Sequence, residues 1–111
     1  MTITVKVLVP AKTVEAAQTT QYTATGVTTI IDKFTATNYN TAAATISVNL
    51  VTVSGSAGNQ NLITKTKTLQ PAEVYTFPEL VGQVLGPGDF ISTIAGTASS
   101  INMRVSGREV T

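Results

Sequence analysis

The sequence predicts an all-β fold: an antiparallel β-sandwich of about eight short strands with jelly-roll-like topology. The first observation is the composition, because Thr makes up 21 of the 111 residues and is interleaved with Val, Ile and Ala. β-Branched side chains have restricted χ1 angles and fit a pleated surface, so they favour strands. The second is a period-two alternation of apolar and polar residues, and the third is a recurrence of turn residues about every ten positions, which is typical of sandwiches and barrels.

The first ten residues alternate apolar and polar side chains, which predicts a half-buried strand over residues 2–9 that ends at Pro10. Residues 10–20 follow either as an extended arm between sheets or as a short helical turn. A short polar strand is predicted over residues 21–25. The expected buried face of the first strand consists of Ile3, Val5, Val7 and Val9.

Two longer strands are predicted over residues 28–38 and 43–53, with a turn between them. In the second of these strands, Val51 and Val53 place apolar side chains on an otherwise polar face. We therefore expect Val51 and Val53 to form an apolar contact patch. The inward face of the strand at 28–38 is expected to carry Ile30, Asp32, Phe34 and Ala36. The inward face of the strand at 43–53 is expected to carry Ile46, Val48 and Leu50.

The second half of the chain continues the β pattern. Lys65 and Lys67 lie on a predicted strand, where lysine disfavours edge-to-edge aggregation. An immunoglobulin-like sandwich fits the strand count nearly as well as a jelly roll, although its Cys–Trp–Cys signature is absent. The remaining predictions are a loop at 54–59, strands at 62–69 and 73–77, a short helical or irregular crossing at 78–85, and strands at 90–95 and 100–106.

Composition limits the classes of function. The chain of 111 residues forms one predicted domain, residues 1–111, with 12% charged residues and a net charge of +1. Because the basic residues are scattered, we expect no nucleic-acid partner and no binding to an anionic membrane. No apolar stretch approaches the length that spans a bilayer, and the first residues lack the features of a signal peptide. A Thr-rich, weakly charged exterior suits packing against other proteins.

Residue types that perform catalysis are scarce. There is no Cys and no His, so Ser–His and Cys–His pairs, a histidine base and a typical zinc site are excluded. The six carboxylates show no spacing typical of a glycosidase pair, and the glycines match no phosphate-binding loop. Calcium binding through Asp32 or Asp89 stays an open alternative, although no D-x-D-x-D loop is present. We expect no catalytic residues, no cofactor and no enzyme activity.

Four side chains are candidates for interface contacts. Asp32 is a separate case, because a carboxylate on an inward face needs a basic partner or a strand-end location. Tyrosines spaced as widely as these do not form a nucleic-acid stacking platform, so core or interface anchoring is expected. The interface candidates are Val51, Val53, Tyr22 and Tyr39.

Several phrases of the sequence resemble small structural proteins of tailed bacteriophages. They are PELVGQVL at residues 78–85, GDFIS at 88–92, RVSGREV at 104–110 and IDK at 31–33. The size and β-character are similar to capsid decoration (cement) proteins of podovirus-like phages. That resemblance implies a non-enzymatic virion protein on the capsid exterior, assembled in the bacterial host cytoplasm. Its implied partners are the major capsid protein and further copies of itself, as a dimer or trimer, and it would staple neighbouring capsomers.

Two other functions remain open at this point. A head–tail connector or tail component is the alternative within the virion, and copy number separates it from a decoration protein: hundreds per particle against about six to twelve. A carbohydrate-binding or receptor-binding module is the alternative of another class. Sugar sites usually use exposed aromatic side chains, and aromatic residues are 5% of this chain.

Overall fold

The computed structural model describes residues 1–111 as two packed antiparallel sheets without an α-helix, which confirms the predicted fold class. One short 3-10 turn, Asn59–Asn61, is the only helical element. In chain order the strands are β1 (Ile3–Thr13), β2 (Thr19–Thr23), β3 (Thr28–Asn38), β4 (Ala44–Val51), β5 (Leu62–Leu69), β6 (Val74–Tyr75), β7 (Val84–Leu85), β8 (Phe90–Ala95) and β9 (Ile101–Val110).

The strands pair as one long hairpin whose arms alternate between the two sheets. β1 pairs with β9, β2 with β8, β3 with β6 and β7, and β4 with β5. Sheet A has the order β1-β9-β3-β6, with β7 also beside β3, and sheet B has the order β2-β8-β4-β5. If β6 and β7 are counted as one interrupted strand, each sheet has four strand positions, as in a jelly roll. This order differs from that of an immunoglobulin-like sandwich.

The core lies between the sheets and is built from apolar side chains of both. Phe34 and Phe77 are fully buried, and their ring centroids are 4.6 Å apart. Every buried side-chain polar atom has a hydrogen-bond partner, which avoids the cost of leaving such a group unpaired. The other large, fully buried side chains are Ile31, Ile46, Leu69, Leu80, Leu85, Ile91, Ile101, Met103, Val9 and Val14.

The structure corrects the prediction for the first strand. β1 continues past Pro10 to Thr13, because a proline is tolerated on an edge strand where its missing N–H would face outward. The pairing with β9 shifts after Val7, so Leu8 and Val9 are both buried. The expected burial of Ile3, Val5 and Val7 is wrong: residues 1–7 are all exposed, since this half of the strand lies at the rim of the sandwich.

A β-bulge produces a similar correction in β3. The pairing of β3 with β9 shifts between Ile31 and Lys33, which places one extra residue, Asp32, in the strand. The core therefore receives Ile31 and Phe34, whereas Ile30 faces outward and Asp32 is exposed. A strict period of two had predicted Ile30 and Asp32 on the inward face.

Connecting segments resolve the two alternatives that involved a helix. Of residues 10–20, the first four belong to β1 and the last two to β2, and residues 14–18 cross from sheet A to sheet B without helical structure. Val14 is buried in this arm, and its N–H donates to the carbonyl of Ile101 at 2.8 Å. Residues 78–83 form irregular turns that lead into β7. Of the remaining predicted strands, 73–77 is shorter than expected and 100–106 is longer, as β6 and β9 show.

Candidate functional site

The outer face of sheet A carries a cluster of exposed apolar side chains near one end, grouped around Arg108. The strand register aligns Val5 with Arg108, Arg108 with Ile30, and Ile30 with Val84. Directly opposed residues in antiparallel strands project from the same face of the sheet. In the adjoining row, Ile3 is opposite Val110. We call this surface the A-face patch; it comprises Ile3, Val5, Val7, Ile30, Val84 and Val110.

Most of the A-face patch is open to solvent. Val5 is 82% exposed, Val84 58%, Ile3 55% and Val7 40%. Clusters of exposed apolar side chains are common at the interaction sites of proteins. Because the patch is spread over four hydrogen-bonded strands, its side chains are held in fixed relative positions.

An ion pair lies within the A-face patch. Arg108 binds the Asp32 carboxylate in a two-point contact, with Nε–Oδ2 at 3.0 Å and Nη2–Oδ1 at 2.9 Å. Asp32 raises the pKa of the Arg108 guanidinium by hydrogen bonding and by its charge. The prediction of a basic partner for Asp32 is thus confirmed, while its predicted inward position is wrong. The pair neutralises both charges and leaves this end of the face without net charge.

Further along the same face, two basic side chains have no ion-pair partner. Lys33 is opposite Ser106, and Arg104 is opposite Thr35. Neither Lys33 nor Arg104 takes part in a salt bridge of the chain. The three salt bridges join Lys6 to Glu109, Lys12 to Glu15 and Arg108 to Asp32. The outer face of sheet A is therefore apolar and neutral at one end and positively charged further along.

Glu109 connects the two sheets below the patch. The Tyr22 hydroxyl of sheet B donates to Glu109 Oε2, and Lys6 Nζ lies 3.2 Å from the same oxygen. These contacts lower the pKa of Glu109, with the tyrosine hydrogen bond as the largest cause. Burial and the bond to the carboxylate raise the pKa of Tyr22 to about 12. Glu109 is therefore an ionised structural anchor.

A second tyrosine–carboxylate pair lies beside β6. The Tyr75 hydroxyl donates to Glu79 Oε1 at 2.7 Å, and Thr64 donates to the other oxygen of Glu79. Burial acts to raise the pKa of Glu79, but these two hydrogen bonds outweigh it, and the pKa is lowered. Lys67 Nζ is 4.7 Å from the centre of the Tyr75 ring, a cation–π contact. An ionised carboxylate with both oxygens occupied is suited to holding structure.

The other carboxylates show no arrangement for metal binding. Asp89 accepts backbone N–H bonds from Val53 and Gly86, both at 2.9 Å, as expected of a turn residue. No group of three potential ligands lies together anywhere in the chain. Asp32 and Asp89 are thus each engaged in local contacts, and the structure does not bring them together.

The sequence-predicted interface residues do not form one surface. Val51 is only 1% exposed and Tyr22 is buried, whereas Val53 is 52% and Tyr39 54% exposed. Tyr39 follows β3 and Val53 follows β4, which runs back along the sandwich, so the two lie at opposite ends. The expected exposure of Val51 is wrong because the loop after β4 folds back over it.

That loop is fixed by Asn49. The Asn49 side chain is 2% exposed and donates to the carbonyl of Gly58 at 3.0 Å and to Asn61 Oδ1. Sheet B is thus partly covered by its own chain, in contrast to the bare outer face of sheet A. Sequence reasoning missed the A-face patch because it assigned Ile3, Val5 and Val7 to the core.

Comparison with known proteins gives no match, whether with protein-family models, curated proteins or solved structures. The structure contains no helix with the length and apolar character needed to cross a membrane. The class defined by fold and site is a jelly-roll-like β-sandwich with a patch of exposed apolar side chains on the outer face of one sheet.

Proposed function

We propose that this chain is a non-enzymatic structural protein of a phage virion that binds the outside of the capsid shell and staples neighbouring capsomers. Its partner is the major capsid protein, and the A-face patch is the surface that meets it. The observation that carries the proposal is the patch, where four strands of one sheet turn apolar side chains outward. The resemblance of residues 78–92 and 104–110 to tailed-phage structural proteins supports the choice of partner.

Burial of the patch supplies the binding energy. Covering a half-exposed Val or Ile contributes about 1 kcal/mol, at roughly 25 cal/mol per Å² of apolar surface. Each copy therefore gains a modest binding free energy when the side chains of the patch are buried. A shell offers the same contact many times, and a protein that contacts two capsomers gains further from effective concentration.

The charges on the outer face of sheet A define which kind of capsid surface is complementary to it. The Arg108–Asp32 pair is neutral as a unit and can be covered without leaving an isolated charge. Lys33 and Arg104 extend from the same face without acidic partners in the chain. The complementary capsid surface is apolar opposite the patch and carries carboxylates opposite Lys33 and Arg104.

The test combines reconstitution with two matched variants. Shells assembled without this chain are mixed with the purified protein, and electron microscopy of the particles locates and counts the bound copies. Val84→Asp places a charge in the patch, whereas Val53→Asp places the same charge on a similarly exposed valine outside it. We expect Val84→Asp to weaken binding at least about tenfold, equivalent to about 1.4 kcal/mol, and Val53→Asp to bind like the native protein.

The outcomes separate the alternatives. Hundreds of copies on the shell surface, together with a higher temperature of shell rupture, support decoration. A count of about six to twelve at one vertex points instead to a connector or tail component and overturns the proposal. Loss of binding in Val53→Asp with retention in Val84→Asp would show that the docking surface is elsewhere.

A further inference from the structure

The first half of β1 is the one long sheet edge that lacks protection against pairing with another strand. The edge of sheet A on the other side is divided into β6 and β7, of two residues each. In sheet B, β2 has five residues and an irregular register, and β5 carries Lys65 with a positive φ of 44° at Thr66. Short strands, lysines and irregular backbone are the usual means of blocking edge pairing.

The hydrogen bonds just before β1 determine which backbone groups of this edge point away from the sheet. Thr2 and Thr111 exchange both backbone hydrogen bonds, with N···O distances of 3.2 and 2.9 Å. Hydrogen-bonded and non-hydrogen-bonded pairs alternate along antiparallel strands. The N–H and C=O groups of Ile3, Val5 and Val7 therefore point away from β9, and β1 has no other neighbour to receive them.

The open edge has defined ends. The register shift after Val7 ends the regular alternation, and Pro10 has no N–H to offer at the next outward position. The protective lysine of this edge, Lys6, is held against Glu109 of its own sheet at 3.2 Å. Residues 3–7 thus form a five-residue edge of regular register, along which every second residue offers an outward N–H and C=O.

We propose that two copies of this chain associate through antiparallel pairing of their β1 edges about a twofold axis at Val5. Val5 then pairs with Val5 of the second copy, and Ile3 with its Val7, so each outward N–H meets a C=O. The resulting dimer has one continuous sheet made of both copies of sheet A, and the two A-face patches merge across the axis.

Charge and shape select this register. In the continuous sheet, the A-face patches of both copies must lie on the same side. Odd-numbered residues of one β1 must therefore pair with odd-numbered residues of the other, and even-numbered with even-numbered. A register centred on Lys6 places two ammonium groups directly opposite each other, which is unfavourable. One centred on Thr4 leaves Val7 opposite Met1. The register centred on Val5 pairs all three apolar residues of the edge and opposes Lys6 to Thr4.

The experiment uses the purified chain alone, so its result is independent of capsid binding. The mass in solution is measured by sedimentation equilibrium, and a dimer has twice the chain mass of 11.5 kDa. Val5→Pro removes only an outward N–H and leaves the β1–β9 ladder intact. We expect it to raise the dimer dissociation constant more than about tenfold, because two intermolecular hydrogen bonds are lost. Circular dichroism confirms that the variant is folded.

A charge-pair test checks the register and does not depend on proline. Val5→Lys and Val5→Glu each place like charges opposite one another at the axis, so each variant alone is expected to be monomeric. Their mixture is expected to form a heterodimer, and Val53→Lys, with its charge outside the edge, to dimerise like the native chain. A native chain that stays monomeric up to about millimolar concentration, an undiminished Val5→Pro dimer, or no heterodimer in the mixture overturns the inference. Capsid binding by a monomeric chain would retain the proposed function while rejecting this dimer.

Discussion

Tyr22 donates a hydrogen bond to Glu109 across the two sheets, although the residues are 87 positions apart in the sequence. A hydroxyl has one proton, so the contact of Tyr22 with Thr29 Oγ1, at 2.7 Å, must have the threonine as donor. Glu109 in turn holds Lys6 on β1. One chain of polar contacts therefore connects β2, β3, β9 and the edge strand.

Removal of the Tyr22 hydroxyl should weaken the sandwich. Tyr22→Phe loses a hydrogen bond to a carboxylate and leaves Thr29 without its acceptor, so we expect the free energy of unfolding to fall by about 1–3 kcal/mol. Urea unfolding followed by circular dichroism measures this change. Tyr39→Phe is the matched control, because Tyr39 is 54% exposed and its bond to Thr13 lies at the surface. An equal loss in both variants would contradict a special role for Tyr22.

Acid should destabilise the protein through its carboxylates. The pKa values of Glu109, Glu79 and Glu15 are lowered from 4.5 in the folded chain by hydrogen bonds and neighbouring lysines. Below about pH 4.5 the unfolded state then binds more protons than the folded state, so stability falls as the pH falls through the folded pKa values. Urea midpoints measured from about pH 7 to pH 3 should decline below 4.5, and less steeply in Glu109→Gln. A flat profile in the native chain would contradict this prediction.

Gly107 should not tolerate a side chain. A Cβ at this position would lie 2.2 Å from the carbonyl oxygen of Ile30 and 2.9 Å from Leu8 Cδ1, so strand β9 or β3 would have to move. We expect Gly107→Ala to cost at least about 3 kcal/mol, the upper end of typical overpacking effects. Gly86→Ala is the control, because its nearest contact is Asp89 Oδ2 at 3.4 Å. Thermal unfolding of the two variants provides the comparison, and equal melting temperatures would refute the prediction.

Asn49 should control the loop that covers β4. Asn49→Ala removes the donor for Gly58 and Asn61, and we expect a loss of about 1–3 kcal/mol in the free energy of unfolding. Limited proteolysis should cut residues 54–60 faster, since the loop loses its anchor. Asn59→Ala changes an exposed side chain of the same loop and serves as control. Unchanged cleavage of the Asn49 variant would indicate that other contacts hold the loop.

Local sequence signals predicted several elements with accurate bounds. β3, β5 and β8 begin and end where turn residues and apolar alternation indicate, because strand propensity and turn chemistry act over a few residues. The partner of Asp32 was predicted by type, as a basic residue, but its identity was not. Arg108 is 76 positions away, and only the β3–β9 pairing brings it close.

The A-face patch shows why the candidate site was beyond sequence reasoning. Ile3, Val5 and Val7 share one face of β1, as their alternation predicts, but alternation does not say whether that face meets the core. The answer depends on where sheet B ends and on the register shift after Val7. In the same way, Val51 became buried because a loop fixed by Asn49 returned over its strand.

The sequence by itself determined that this protein is a β-sandwich with about eight strand positions and a weakly charged, Thr-rich exterior. Those properties depend on side-chain shape and on contacts between near neighbours in the chain. The tertiary structure alone decided the nested strand pairing, the bulge at Asp32 and the exposure of Ile3, Val5 and Val7. These features arise from hydrogen bonding between distant strands, where a shift of one residue exchanges the buried and exposed faces.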